Sequence, residues 1–150
     1  MLTNITHSFI YVLDQDQALD FYVGKLGMEV HTDADLGDMR WLTVSFPDHP
    51  DRELALMVPG PPMLDEATTR QVRDILTKGA MPGLIFATDD CRGTYERLRE
   101  RGVEFTQEPV ERFYGTDCAL RDPFGNPLRF TEPPAGGVKL PEGMHTAVTT

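Results

Sequence analysis

"THSFIYVLDQDQALDFYVGKLG", residues 6–27, reads as a strand running into a helix. Phe9, Ile10, Tyr11, Val12 and Leu13 form a β-branched and aromatic run that stops at Asp14. Asp14 with Gln17 three residues on is a capping-box-like start. Ala18, Phe21, Tyr22 and Leu26 then recur at helical spacing, and Gly27 stands where a left-handed C-terminal residue belongs. Strands follow over "MEVHTD" (28–33), "MRWLTVSFP" (39–47) and "RELALMVPG" (52–60). In the second of these, Leu42, Val44 and Phe46 alternate with Trp41, Thr43 and Ser45.

The same order returns in the second half. "GLIFATDD" (83–90) is a strand ending in Asp90, and "CRGTYERLRERG" (91–102) is a helix with Tyr95 and Leu98 inward and Gly102 closing it. "VEFTQE" (103–108) and "FYGTDCALRD" (113–122) are strands. Asp-Pro-Phe-Gly-Asn (122–126) then makes a turn, because proline fixes φ, glycine permits φ > 0, and Asp and Asn bond their own backbone. "PLRFTEP" (127–133) closes the unit as a strand. Asp14 and Asp90 lie 76 positions apart and Gly27 and Gly102 lie 75, so the first helix reads one residue longer. Both halves read strand–helix–strand–strand–strand, an internal duplication that governs the fold. The expected organisation is one domain with module one at 4–60, a linker helix within 61–81, module two at 82–133 and a tail at 134–150. In the linker, "LDEATTRQVRDILTKG" places Val72, Ile75 and Leu76 on one helical face. The tail, rich in Pro and Gly, reads either as mobile or as an arm laid over a neighbour.

At 150 residues the chain can bury a sizeable core, and 40% hydrophobic with 25% charged residues is ordinary for a globular protein. A net charge of −10 argues against nucleic acid, which needs clustered Lys and Arg. It permits a cationic ligand, although acidic surfaces more often serve only solubility. Cys91 and Cys118 form no CxxC and point to a reducing cytoplasm. The N-terminus lacks the basic region and long apolar run of a signal peptide. No stretch approaches the roughly 20 apolar residues of a membrane span.

A doubled βαβββ unit with these motifs resembles the vicinal oxygen chelate superfamily, which includes glyoxalase I, extradiol dioxygenases, and fosfomycin- and bleomycin-resistance proteins. The resemblance is carried by His7 with Asp14, "LDFYVGKLGMEV" (19–30), Gly83 with Asp90, "RGVEF" (101–105) and "DPFGNPLRF" (122–130), and covers about residues 4–133. It implies an α+β fold, two βαβββ modules whose curved sheets form a cup, usually in a homodimer. In metal-dependent members a divalent ion in the cup is held by His or Gln on the first strand, Glu on the fourth, His on the fifth and Glu on the eighth. Those positions fall here on His7, Ala55, Gly83 and Arg129, with Glu53 a candidate substitute two residues before Ala55 on the same face. Glycine and alanine have no donor, and an arginine cation repels a metal. The resemblance therefore implies a dismantled metal site, with no metal or cofactor expected.

His7, Trp41, Tyr114 and Arg129 are the candidate ligand-binding residues. Arg129 falls on a cup-facing position of the family, where a guanidinium must meet a carboxylate. That carboxylate is either an internal one, Glu53 or Asp117, or an anionic group of a ligand. His7 faces the cavity or is a satisfied core histidine. Trp41 stacks on a planar ligand or packs in the core. Tyr114 donates its hydroxyl at the rim or packs in a hairpin. Cys91 stands at a helix N-terminus, where the dipole favours thiolate, but no paired histidine accompanies it. His31, His49 and His145 read as solvated. The function these features favour is binding of a small aromatic or anionic molecule by a cytoplasmic homodimer without the metal. The alternative is a lyase, isomerase or dioxygenase of glyoxalase type, using a relocated metal or His7 with Tyr114.

Overall fold

The computed structural model of the chain describes residues 1–144; of the expected tail, 145–150 and with them His145 lie outside the described residues. The elements are β1 (His7–Tyr11), α1 (Gln15–Tyr22), β2 (Glu29–Asp35), β3 (Arg40–Ser45), β4 (Glu53–Met57), α2 (Glu66–Thr77), β5 (Leu84–Ala87), α3 (Cys91–Glu100), β6 (Phe105–Arg112), β7 (Gly115–Arg121) and β8 (Pro127–Glu132). They form two four-stranded sheets, ordered β1-β4-β3-β2 and β5-β8-β7-β6, the same α+β order twice. The chain divides into two compact units. Unit 1 holds residues 1–83 with 122–127, and unit 2 holds 84–121 with the chain from Leu128 onward.

In unit 1, β1 runs parallel to β4, while β4–β3 and β3–β2 are antiparallel. Alternation along these strands sends Ile10, Leu42, Val44, Leu54 and Leu56 into a core that also buries Ala18, Phe21 and Tyr22 of α1. His7 and Phe9 of β1, Trp41 and Thr43 of β3, and Glu53 of β4 share the opposite face. Asp14 caps α1 by accepting from Gln17 N at 2.8 Å, and Gly27 takes φ +82 as the sequence requires.

The helix lengths correct the sequence expectation. The Asp-to-Gly segment is indeed longer in the first half, but α1 has 8 residues and α3 has 10. After Tyr22 the winding loosens, with Gly24 N and Leu26 N donating five residues back to Leu19 O and Phe21 O. Leu26 therefore lies beyond the helix. In α2 only Leu76 is fully buried, while Ile75 is 43% exposed, so the apolar face is narrower than its spacing suggests.

The 122–126 turn is built around one carboxylate. Asp122 Oδ2 accepts from Tyr22 Oη and Asn126 Nδ2, both at 2.7 Å. Its Oδ1 accepts from Phe124 N at 3.0 Å and Asn126 N at 2.9 Å. Asn126 Nδ2 also donates to Tyr11 O at 2.7 Å, tying the turn to β1. Gly125, at φ +108, lies so close under α2 that a Cβ would stand 2.5 Å from Leu76 O.

Unit 2 repeats the pattern: β5 runs parallel to β8 and β6 antiparallel to β7. Asp90 caps α3 through Gly93 N at 2.8 Å, and Cys91, Tyr95 and Leu98 are buried. Tyr95, Phe105, Phe130 and Phe86 form a chain of edge-to-face rings with centroids 4.7–6.1 Å apart. Gly115 opens β7 at φ +133, where a Cβ would lie 2.0 Å from Glu132 O.

Because four donors converge on buried Asp122, Asp122→Ala is expected to lower stability by about 3 kcal/mol or more, and Tyr22→Phe by about 1 kcal/mol. Urea unfolding of the two variants checks both the size and the order.

Candidate functional site

Each unit carries a carboxylate on its sheet, and the donors around it define the chemistry. In unit 1, β1 and β4 pair in register so that His7 stands beside Glu53. His7 Nε2 lies 2.9 Å from Glu53 Oε2, and His31 Nδ1 lies 2.9 Å from Oε1. Thr43 Oγ1 donates to Oε1 at 2.8 Å. A carboxylate accepts only, so His7 presents its Nε2–H to Glu53, while its Nδ1 shares a 2.8 Å hydrogen bond with Thr6 Oγ1. Trp41 packs against this group, its ring centroid 5.9 Å from His7 and 6.1 Å from Phe9. Phe9 is 63% exposed, so the three rings form an aromatic shelf open on one side.

In unit 2 the carboxylate is Asp117, which has no exposed side-chain surface. Its Oδ2 accepts from Arg129 Nη1 and, at 2.7 Å, from Tyr114 Oη. Its Oδ1 accepts from Gln107 Nε2 at 3.1 Å and lies 3.7 Å from Arg112 Nε. Burial alone would raise the Asp117 pKa, but the hydrogen bonds from Tyr114, Arg129 and Gln107, with the Arg129 charge, outweigh it and hold the carboxyl below the usual range. The same bond raises the Tyr114 pKa, because losing its proton would set a second negative charge on Asp117. Two guanidinium groups on one carboxylate leave this cluster with one net positive charge, in a chain of net charge −10. Arg129 commits Nη1 to Asp117 and to Gln107 Oε1; its Nη2 and Nε have no hydrogen-bond partner among the described residues, and its side chain is 37% exposed.

The four candidate residues thus fall into two pairs, His7 with Trp41 in unit 1 and Tyr114 with Arg129 in unit 2. Of the two internal partners open to Arg129 in the sequence, the structure selects Asp117. Four contributors are not legible in the sequence as part of these clusters. His31 is exposed as expected yet also reaches Glu53, and nothing in the sequence singles out Thr43, Gln107 or Arg112. His31 stands where the β2–β3 register slips between Val30 and Thr32, and Gln107 where the β6–β7 register slips on both sides. A bulge takes a residue out of strict alternation and re-aims its side chain. The two residues lie 76 positions apart, as Asp14 and Asp90 do, which is the one signal that could have paired them. His49 is exposed in a turn.

The family's metal positions can be tested directly. β5–β8 pairs Ile85 with Arg129 as β1–β4 pairs Phe9 with Ala55, so Ala55 is the counterpart of Arg129 and Glu53 lies two residues before it. A Cβ at Gly83 would lie 1.6 Å from Pro127 O, leaving no room for a ligating side chain. Both nitrogens of His7 and the Glu53 carboxylate are already engaged. No group of three or more His, Cys, Asp or Glu among the described residues is arranged to hold a metal ion. The residues present do not fit the family's four-donor site. Cys91 and Cys118, with Sγ atoms 3.6 Å apart, are both buried; burial raises the Cys91 thiol and pushes Cys118 up to about 12, against the thiolate that the helix N-terminus would favour.

Comparison with known proteins agrees with this architecture. Residues 4–130 match the model of the Glyoxalase/Bleomycin resistance protein/Dioxygenase superfamily. The uncharacterized protein YurT of Bacillus subtilis (strain 168) is 34% identical over 123 residues, 82% of this chain and 94% of that one. The crystal structure of UcmS2 shares 45% identity at a TM-score of 0.82, covering 87% of this chain and 98% of its own. TnmS3, an antibiotic binding protein from Streptomyces sp. CB03234, shares 28% identity at a TM-score of 0.71, covering 89% and 98%.

A carboxyl whose pKa is lowered by folding contributes stability that is present above its unfolded value, about 3.9, and is lost as pH falls through its folded value. Thermal unfolding from pH 6 down to pH 2 should therefore show a steeper loss below about pH 4 for the native chain than for Asp117→Asn. The variant should be the less stable of the two at pH 6.

Proposed function

The chain belongs to the Glyoxalase/Bleomycin resistance protein/Dioxygenase superfamily, and on that footing we propose that it binds a small molecule without the metal that some members hold. The observation that carries this reading is Arg129, fixed by one nitrogen on buried Asp117 while Nη2 and Nε have no hydrogen-bond partner among the described residues and the side chain is 37% exposed. A guanidinium edge held in this way suits a carboxylate or phosphate oxygen pair, and Asp117 prepays part of the ordering cost. Unit 1 by itself offers a second surface, the His7–Trp41–Phe9 shelf, on which the ring face of an aromatic molecule stacks. The description of TnmS3 as an antibiotic binding protein puts sequestration of such a molecule within the family's range. The working state we propose is a cytoplasmic homodimer, because β1 and β2 end one sheet and β5 and β6 the other, and such edges need covering.

One observation favours a second reading. His7 has in Glu53 the orienting carboxylate that a general base requires. On that reading the chain is a metal-free lyase or isomerase acting on a small oxygenated substrate, with His7 moving the proton.

Elemental mass spectrometry of untagged protein should find divalent metal well below one per chain, unchanged by His7→Ala. Stoichiometric metal lost in that variant would sink the metal-free reading. In a thermal-shift assay 2-naphthoate should raise the melting temperature of the native chain, and the rise should vanish in Arg129→Gln. A response that survives the substitution would remove Arg129 from the site.

A further inference from the structure

Unit 1 contains a cavity that neither the carboxylate cluster nor the family's metal positions use. It has a volume of about 360 Å³ and lies at the C-terminal ends of β1 and β4, walled by the chain that leaves β4. That volume falls within the roughly 300–1,000 Å³ of small-molecule sites. Phe9 and Tyr11 line it from β1, Met57 from β4, and Met63, Leu64 and Met81 from the segments flanking α2. Three methionines in one wall give a surface that is apolar and adaptable, suited to an irregular ring system rather than to one shape. Water gains little in such a space, because few polar partners are offered.

One polar group does break the apolar lining. Asn126 lines the cavity and is 1% exposed. Its Nδ2 is spent on two acceptors, Tyr11 O and Asp122 Oδ2, which fixes the amide orientation. Its Oδ1 therefore remains an acceptor, and it receives no donor among the described residues. Among the described residues no fully buried side-chain oxygen lacks a partner, so Asn126 Oδ1 is not sealed off, and an occupant that supplies an N–H or O–H there takes the place of solvent.

We infer that this cavity is a binding site for a compact aromatic molecule carrying one hydrogen-bond donor. The donor meets Asn126 Oδ1, and the rings lie among Phe9, Tyr11 and the methionines. The inference rests on the small-molecule reading above and deepens it by naming the apolar part of the ligand and its polar requirement. It makes no use of Arg129.

Isothermal titration calorimetry of the full chain tests it with 2-naphthol and with 2-methoxynaphthalene, the same rings with the donor methylated. The native chain is expected to bind one 2-naphthol, and the methyl ether roughly fivefold more weakly, the worth of one hydrogen bond. Gly60 lines the cavity at an ordinary backbone conformation, and a Cβ there meets no atom within 4 Å. Gly60→Phe should therefore keep the native melting temperature and abolish binding. Met63→Trp, at a 70% exposed wall residue, serves the same purpose if the first variant fails to fold. Equal affinity for the two naphthalenes, or undiminished binding in a folded Gly60→Phe chain, would overturn the inference. So would a native dimer that ignores 2-naphthol and dissociates on Gly60→Phe, since a second copy of the chain would then fill the groove. Loss of the 2-naphthoate response alone would strike at Arg129 and leave the cavity standing. Failure of 2-naphthol alone would do the reverse.

Discussion

A carboxylate buried without donors is among the costliest things a fold can contain, and the way this chain satisfies Asp122 organises unit 1. The four donors come from the turn itself, from Asn126, and from Tyr22, a residue 100 positions earlier. That single group holds residues 122–127 against α1 and, through Asn126, against the last residue of β1. The turn is therefore a structural clasp as well as a reversal of direction. The Asn126 oxygen left over once the clasp is satisfied is also the polar feature of the neighbouring cavity.

The two carboxylates on the sheets show how a duplicated module diverges while its scaffold persists. Residues 31 and 107 sit at equivalent bulges and reach equivalent tasks, His31 toward Glu53 and Gln107 toward Asp117. The remaining donors differ. Glu53 is held by two imidazoles and a hydroxyl. Asp117 is held by a phenol, an amide and permanent cations. Unit 1 thus presents imidazoles and aromatic surface, and unit 2 a fixed positive charge. In both, the carboxylate already has its partners, so a metal would have to displace bonds that the fold supplies. At Gly83 it would also have to displace backbone.

Much of this was present in the sequence by itself. Caps at Asp14 and Asp90, left-handed glycines at 27 and 102, and the strand–helix–strand–strand–strand repeat are local features, fixed by backbone geometry and by alternation, and they determine the α+β fold. The substitution pattern Gly83, Ala55 and Arg129 is a matter of residue identity and needs no structure to be seen. What only the tertiary structure decided is which groups meet. Arg129 had two internal candidates until the sheet brought it to Asp117 instead of Glu53. His31 was invisible because a bulge re-aims it, and a bulge is a slip between strands, not a property of either strand alone. The cavity beside Asn126 depends in the same way on segments some 115 residues apart in the chain, Tyr11 and Asn126 among them. Periodicity says which face a side chain takes, and only packing says what it finds there.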